Sequence, residues 1–179
     1  MNNQSFSLVP FPSVSPPPSI KIEGTIAQGA GSLAIRYALH GHLAELLISG
    51  LTAMPTRKHR LWEETCFELF LAGKDSPQYW EFNLSPAGHW NVYRFSAPRQ
   101  GMEEETRFSS LPFRVESQSD TLSLRLELDL DRIARADQLL EAAVSAVIKH
   151  KDGSLTYWAL THHGPQPDFH RRESFIVLV

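Results

Sequence analysis

Three His and one Asp fall within nine residues of the stretch 161–172, THHGPQPDFHRR. Imidazole and carboxylate are the usual ligands of zinc and iron, so His162, Asp168 and His170 form the one metal set the sequence offers. Their spacing matches no zinc motif, and the adjacent His162 and His163 project in different directions. Asp168, behind Pro165 and Pro167, equally fits a rigid loop in which its carboxylate accepts backbone N–H groups. A second group lies at 53–64, where the basic loop AMPTRKHR brings Arg57, Lys58 and Arg60 up to Trp62, Glu63 and Glu64. Guanidinium beside indole can clamp an anion or stack on a ring. A Trp flanked by carboxylates can act as a platform for a polyol. A third group is Glu81, Asn83, Asn91 and Tyr93, whose spacing puts them on one face of two neighbouring strands. Amides and a phenol supply bidentate hydrogen bonds. Arg99, in the loop 96–107, is placed to reach the same mouth. The plain alternatives are a solvated basic loop, a rim Trp packed on its own loop, and the wet side of a sheet.

The elements that must position these groups are strands. In 79–85, YWEFNLS, Trp80, Phe82 and Leu84 point one way while Tyr79, Glu81, Asn83 and Ser85 point the other. Ser85-Pro86-Ala87-Gly88 matches a type I turn and makes a hairpin with 89–95. The preceding strand, 65–72, is apolar on both faces except for Glu68, as in a central strand. Strands are also expected at 19–28 and 32–40, around a Gly29-Ala30-Gly31 turn, and at 44–49. Further strands are expected at 113–117, 121–129, 144–150, 155–161 and 175–179. The cleanest alternation is Leu122, Leu124, Leu126 and Leu128 against polar neighbours. One short helix is expected over 131–143, with Asp131 as N-cap. Residues 1–18 hold five of the twelve Pro, which excludes a helix there. The piece 5–11 reads as an edge strand and Pro16-Pro17-Pro18 as a stiff spacer. About eleven strands and one short helix give an all-β fold, an antiparallel β-sandwich, with a Pro-rich segment at 1–18 and one domain at 19–179.

The segments LWEETCFELFL and YWEFNLSPAGHWNVYRF, with the later Tyr157-Trp158-Ala159-Leu160 and Pro167-Asp168-Phe169-His170, carry a resemblance. Over roughly residues 20–179 the chain resembles the DOMON-like superfamily related to family 9 carbohydrate-binding modules, and within it a small bacterial group. The resemblance implies a jelly-roll or immunoglobulin-like sandwich and a ligand that is a sugar or a haem. In the related carbohydrate modules aromatic side chains hold the sugar, and Trp62 is the matching position.

The totals bound the rest. A chain of 179 residues with 42% hydrophobic and 21% charged residues fits one domain with a core. A net charge of −3 gives no electrostatic case for nucleic acid or an anionic membrane. No window approaches the roughly 18 apolar residues of a membrane helix. The N-terminus lacks a basic n-region and an apolar core, which points away from a signal peptide and to the cytoplasm. The single cysteine, Cys66, reads as a buried structural thiol.

These observations lead to a ligand-binding β-sandwich module, without assigned catalytic residues, for a small sugar-like molecule. Its candidate binding residues are Arg60, Trp62, Glu63, Asn83, Tyr93, Arg99, His162, Asp168 and His170. No cofactor is expected. The alternatives are a b-type haem domain for electron transfer, with Met102 and His162, His163 or His170 as axial pair, and a hydrolase holding a divalent metal on the Asp168/His170 loop. The sequence sets no oligomeric state.

Overall fold

Strand β9 (Thr121–Asp129) shows how the sequence builds the fold: Leu122, Leu124, Leu126 and Leu128 are buried, and the residues between them are not. The same period of two recurs in β2 (Ile20–Gly29) and β3 (Ser32–Gly41), whose Ile22, Ile26, Leu33, Ile35, Tyr37 and Leu39 point inward. A computed structural model describes residues 2–12, 19–135 and 138–179. The remaining strands are β1 (Asn2–Pro10), β4 (Cys66–Gly73), β5 (Tyr79–Leu84), β6 (Trp90–Phe95), β7 (Glu103–Glu104), β8 (Phe113–Ser117), β10 (Leu140–Lys149), β11 (Leu155–Ala159) and β12 (Val177–Leu178).

All strand pairs are antiparallel, in the order β7-β6-β5-β4-β10-β11-β1-β2-β3-β9-β8, with β12 also on β10. The run folds over itself as two layers, a front sheet of β2, β3, β9 and β8 and a back sheet of β11, β10, β4, β5, β6 and β7. Strand β1 joins them: residues 2–8 pair with β2, and Val9 and Pro10 pair with β11. The core between the layers takes one face from each, with Phe67, Phe82, Trp90, Val144 and Trp158 meeting the front-sheet aliphatics. Each such side chain, fully buried, contributes roughly 1.5–3 kcal/mol.

The expected sandwich is present, with three local corrections. The helix expected over 131–143 is not formed. Residues Leu130–Arg132 make a 3-10 turn capped by Asp129, which accepts from the Asp131 N–H at 3.2 Å, and β10 already begins at Leu140. Part of that expectation, residues 136–137, lies outside the described residues. From Leu140 on the chain alternates as a strand, with Ala142, Val144, Ala146 and Ile148 in the core while Ala143, Ser145 and Val147 face the back. The strand expected at 44–49 is instead a 3-10 turn, Leu43–Glu45, with one bridge from Leu46 to His150. Only Leu46 of that stretch is buried, so it has no face to hold it in a sheet. Strand β1 is not an edge, because it is paired on both sides; the Pro16–18 spacer lies outside the described residues. No α-helix occurs among the described residues.

The expected hairpin turn closes as predicted. The Gly88 N–H donates to the Ser85 carbonyl at 2.8 Å, and the Ser85 N–H to the His89 carbonyl at 2.9 Å. Gly88 sits at φ 92°, where a side chain would be strained. Cys66 is buried in β4, and burial raises its thiol pKa well above the ordinary range.

Candidate functional site

The outer face of the back sheet is not wet. Register puts Glu68 and Phe70 of β4, Tyr79, Glu81 and Asn83 of β5, Asn91, Tyr93 and Phe95 of β6, and Ser145 and Val147 of β10 on that face, and all are buried. The roof comes from two irregular segments. One is the 3-10 turn Leu61–Glu63, which lays Trp62 edge-on against Tyr93 with ring centroids 5.8 Å apart. The other is the loop at 164–175, which sets His170 among Phe70, Tyr79 and Phe95 at 5.4, 5.9 and 5.1 Å. Between roof and sheet lies a cavity of about 500 Å³, within the usual range of small-molecule sites. Its floor is Glu68, Glu81 and Val147. Its walls are Trp62, Phe95, Tyr157, Phe169 and His170. Glu63, Arg99 and Met102 stand at the rim.

The floor is electrostatically unusual. Glu68 and Glu81 are 3% and 4% exposed, on adjacent strands. Glu68 accepts from the Ser145 hydroxyl at 3.0 Å, and Glu81 from the Asn83 amide at 2.8 Å. Burial raises both carboxyls, Glu81 to about 7 and Glu68 well above the ordinary range, the latter further raised by the charge of Glu81. Burial pushes His170 the other way, to about 4, helped by Arg99. Burial likewise pushes the Tyr79 and Tyr93 phenols up to about 12. The Tyr79 oxygen accepts the Arg99 N–H at 3.2 Å and lies 2.8 Å from His170 Nδ1. With the Tyr79 hydroxyl donating to Nδ1, the ring proton resides on Nε2, which faces Glu81 Oε2 at 3.9 Å.

Of the residues singled out by sequence, Trp62, Glu63, Arg99 and His170 line the cavity. Asp168 sits behind them. It holds Arg99 at 2.8 Å and accepts the His170 N–H at 3.2 Å, which is the rigid-loop role its spacing suggested. Asn83 and Tyr93 lie beneath the lining, Asn83 on Glu81 and Tyr93 accepting from Asn91 at 2.9 Å. Arg60 is exposed, in a left-handed conformation at φ 61°, and paired with Glu63. His162 is turned to strand β1, its Nε2 2.9 Å from the Val9 carbonyl and its ring 5.2 Å from Phe11. Glu81 belongs to the polar face read from the sequence but not to the candidate binding residues, and Glu68, Phe95, Tyr157 and Phe169 are not among them either. A lone carboxylate in an otherwise apolar central strand was the signal for Glu68.

Two cofactor readings can be tested on these contacts. Among the described residues no group of three or more His, Cys, Asp and Glu is placed to hold a metal ion. His162, Asp168 and His170 are engaged instead by Val9, Arg99 and Tyr79. For haem, Met102 and His170 do line one cavity. The cavity floor, however, is formed by the carboxyls of Glu68 and Glu81, and His170 presents Nε2 to Glu81, so the residues do not fit an apolar macrocycle with His170 as axial ligand.

Arg57 is a clamp within the fold. It donates to Asn91 Oδ1 at 2.7 Å, to the Glu105 carbonyl at 3.1 Å and to the Phe108 carbonyl, and stacks 4.3 Å over Trp90. It thereby holds the segment at 103–108 against the back sheet and fixes an amide beneath the cavity. Arg57→Ala is expected to cost about 2 kcal/mol in urea unfolding. A change under about 0.5 kcal/mol, typical of exposed positions, would show that the contacts are superficial.

No family model and no curated protein sequence matches the chain. Among solved structures it is similar to a protein of Bacteroides uniformis proposed to bind carbohydrate, with a TM-score of 0.71 and 13% identity over 97% of this chain and 84% of that one. It is also similar to a family 9 carbohydrate-binding module of Caldicellulosiruptor kristjanssonii solved with cellotriose, with a TM-score of 0.50 and 7% identity over 82% and 68% of the two chains. At these identities the likeness establishes a shared all-β fold.

Proposed function

We propose that this chain is a carbohydrate-binding module and that its sugar site is the cavity on the outer face of the back sheet. The observation that carries the reading is the pairing of a polar floor with aromatic walls. Glu68 and Glu81 present carboxyl oxygens from below, while Trp62, Phe95, Tyr157 and Phe169 offer ring faces and edges around them. A pyranose has the complementary surface: hydroxyls around its edge and apolar C–H faces. The two similar folds, one proposed to bind carbohydrate and one solved with cellotriose, support the same class. Trp62 is half-buried, so its ring can serve both Tyr93 behind it and a ligand in front.

The test is titration of the full chain with mono- and oligosaccharides, followed by thermal unfolding. A sugar that binds the folded state raises Tm with its concentration by mass action. Trp62→Ala is expected to weaken binding about tenfold or more, with circular dichroism unchanged. If no sugar at millimolar concentration moves Tm or gives binding heat, the reading fails.

A further inference from the structure

The cavity floor has no positive charge of its own, and this constrains what fills it. The cations around the face are engaged elsewhere: Arg99 with Asp168, Arg60 with Glu63, Lys149 with Glu64, and Arg57 with Asn91. Among the described residues no Lys or Arg forms an ion pair with Glu68 or Glu81. The basic groups near them are His170, whose Nε2 stands 3.9 Å from Glu81 Oε2, beyond hydrogen-bond reach, and Arg99, whose charge favours both carboxylates from the rim but whose guanidinium is held by Asp168. Thus, among the described residues, Glu81 keeps one oxygen on Asn83 and the other without a hydrogen bond, and Glu68 has one oxygen on Ser145. Both side chains are more than nine-tenths buried and both border the cavity.

From this geometry we infer that the ligand carries a primary ammonium group, and that the sugar taken by the cavity is an amino sugar. The inference rests on the carbohydrate reading and narrows it. Burying two carboxylates with no cation in direct contact is costly, and a ligand ammonium in the cavity would supply that contact. An ammonium has three donors and no acceptor, which suits the free oxygens of Glu81 and Glu68. The aromatic walls add to this, because a cation is attracted to the face of Trp62 or Tyr157. A neutral sugar offers hydroxyls to the same oxygens but no charge. An acidic sugar would set a third carboxylate against the pair.

Binding of a cation should also expel the protons that the buried carboxyls hold near neutrality. The groups facing them are Tyr79 from β5, Tyr93 from β6, His170 and Asp168 from the roof loop, and Arg99 from the rim. The phenols and His170 stay neutral at pH 7, so the carboxyls are the source of any released proton.

The experiment is isothermal titration of the full chain at pH 7 with glucosamine, glucose and N-acetylglucosamine. It is run in two buffers of different ionisation enthalpy, so that proton release is read directly. Glucosamine is expected to bind about tenfold or more tighter than glucose, with N-acetylation removing the gain. Proton release should accompany glucosamine alone, and Glu81→Gln should erase the preference. Glucose or N-acetylglucosamine binding as tightly as glucosamine overturns the inference and leaves the carbohydrate reading standing. Failure of all three to bind overturns the inference, and the carbohydrate reading then falls only if the wider set of mono- and oligosaccharides fails as well. If Glu81→Gln does not fold, the N-acetyl comparison and the proton count on the unaltered chain decide the matter.

Discussion

Glu81→Gln is expected to level the pH dependence of stability between about pH 4.5 and 6.5, and His170→Gln to steepen it. Glu81 keeps its proton in the folded chain up to about pH 7, whereas an ordinary Glu releases it near 4.5. Its folded form therefore holds the extra proton in that window, and the stability it confers is full at low pH and lost as pH rises. Glu68 is raised in the same direction and acts with the same sign. His170 acts oppositely. It is protonated only below about 4 when folded but near 6.5 when unfolded, so its contribution is lost as pH falls through that interval. Glu81 and His170, 3.9 Å apart, thus cancel across the window and leave the fall due to Glu68. Removing Glu81 unmasks His170, and removing His170 unmasks Glu81. Each variant's slope should depart from that of the unaltered chain by about 1.4 kcal/mol per pH unit, in opposite directions, or roughly 3 kcal/mol across the window. Urea unfolding at several pH values in that window measures it, and three parallel profiles would refute the proton assignment. Gln at position 170 can still meet the Tyr79 hydroxyl, so the comparison reads charge more than packing.

The strands were legible because one face of nearly every one meets the core. Period-two alternation in β2, β3, β5 and β9 fixes both the element and the direction of each side chain. It failed at the start of β10, residues 140–143, where helix was expected. Both faces of this strand are covered, Ala142, Val144 and Ala146 packing inward while Ala143 and Ser145 lie under the roof loop, so no polar alternation marks Ala142 and Ala143 as strand. The same cause hid the site. Glu81, Asn83, Asn91 and Tyr93 were visible as one polar face, but a polar face is ordinarily wet. What buries this one is a pair of irregular segments whose path no local pattern encodes. Trp62 and His170 were legible as chemistry-bearing residues. That they roof the floor formed by Glu68 and Glu81 follows only from tertiary packing. His162 shows the converse: three residues after β11 ends at Ala159, it turns to β1 rather than to the cavity.

Gly24→Ala, far from the cavity in sequence, is expected to cost about 3 kcal/mol or more and to loosen the site with the fold. Gly24 lies on β2 between Phe6 of β1 and Tyr37 of β3, all three on the inward row. A Cβ there would stand 1.9 Å from the Arg36 carbonyl oxygen and 2.5 Å from the Phe6 ring. The ring could rotate away, but the carbonyl belongs to the paired backbone and can withdraw only by parting β2 from β3. The Phe6 ring fills the space that Gly24 leaves and meets Tyr37 edge-on at 5.8 Å. Tyr37 in turn crosses the core, packs on Phe67 at 5.1 Å and donates its hydroxyl to the Glu68 carbonyl at 2.8 Å. That bond ties the front sheet to the backbone of the residue that forms the cavity floor. A methyl group at position 24 therefore acts along one row of contacts, from β2 through Phe6 and Tyr37 to Glu68. Urea unfolding measures the loss, and sugar titration of the folded fraction measures its reach. Stability within about 1 kcal/mol of the unaltered chain would mean that β2 and β3 part without cost, and that this row does not hold the floor in place.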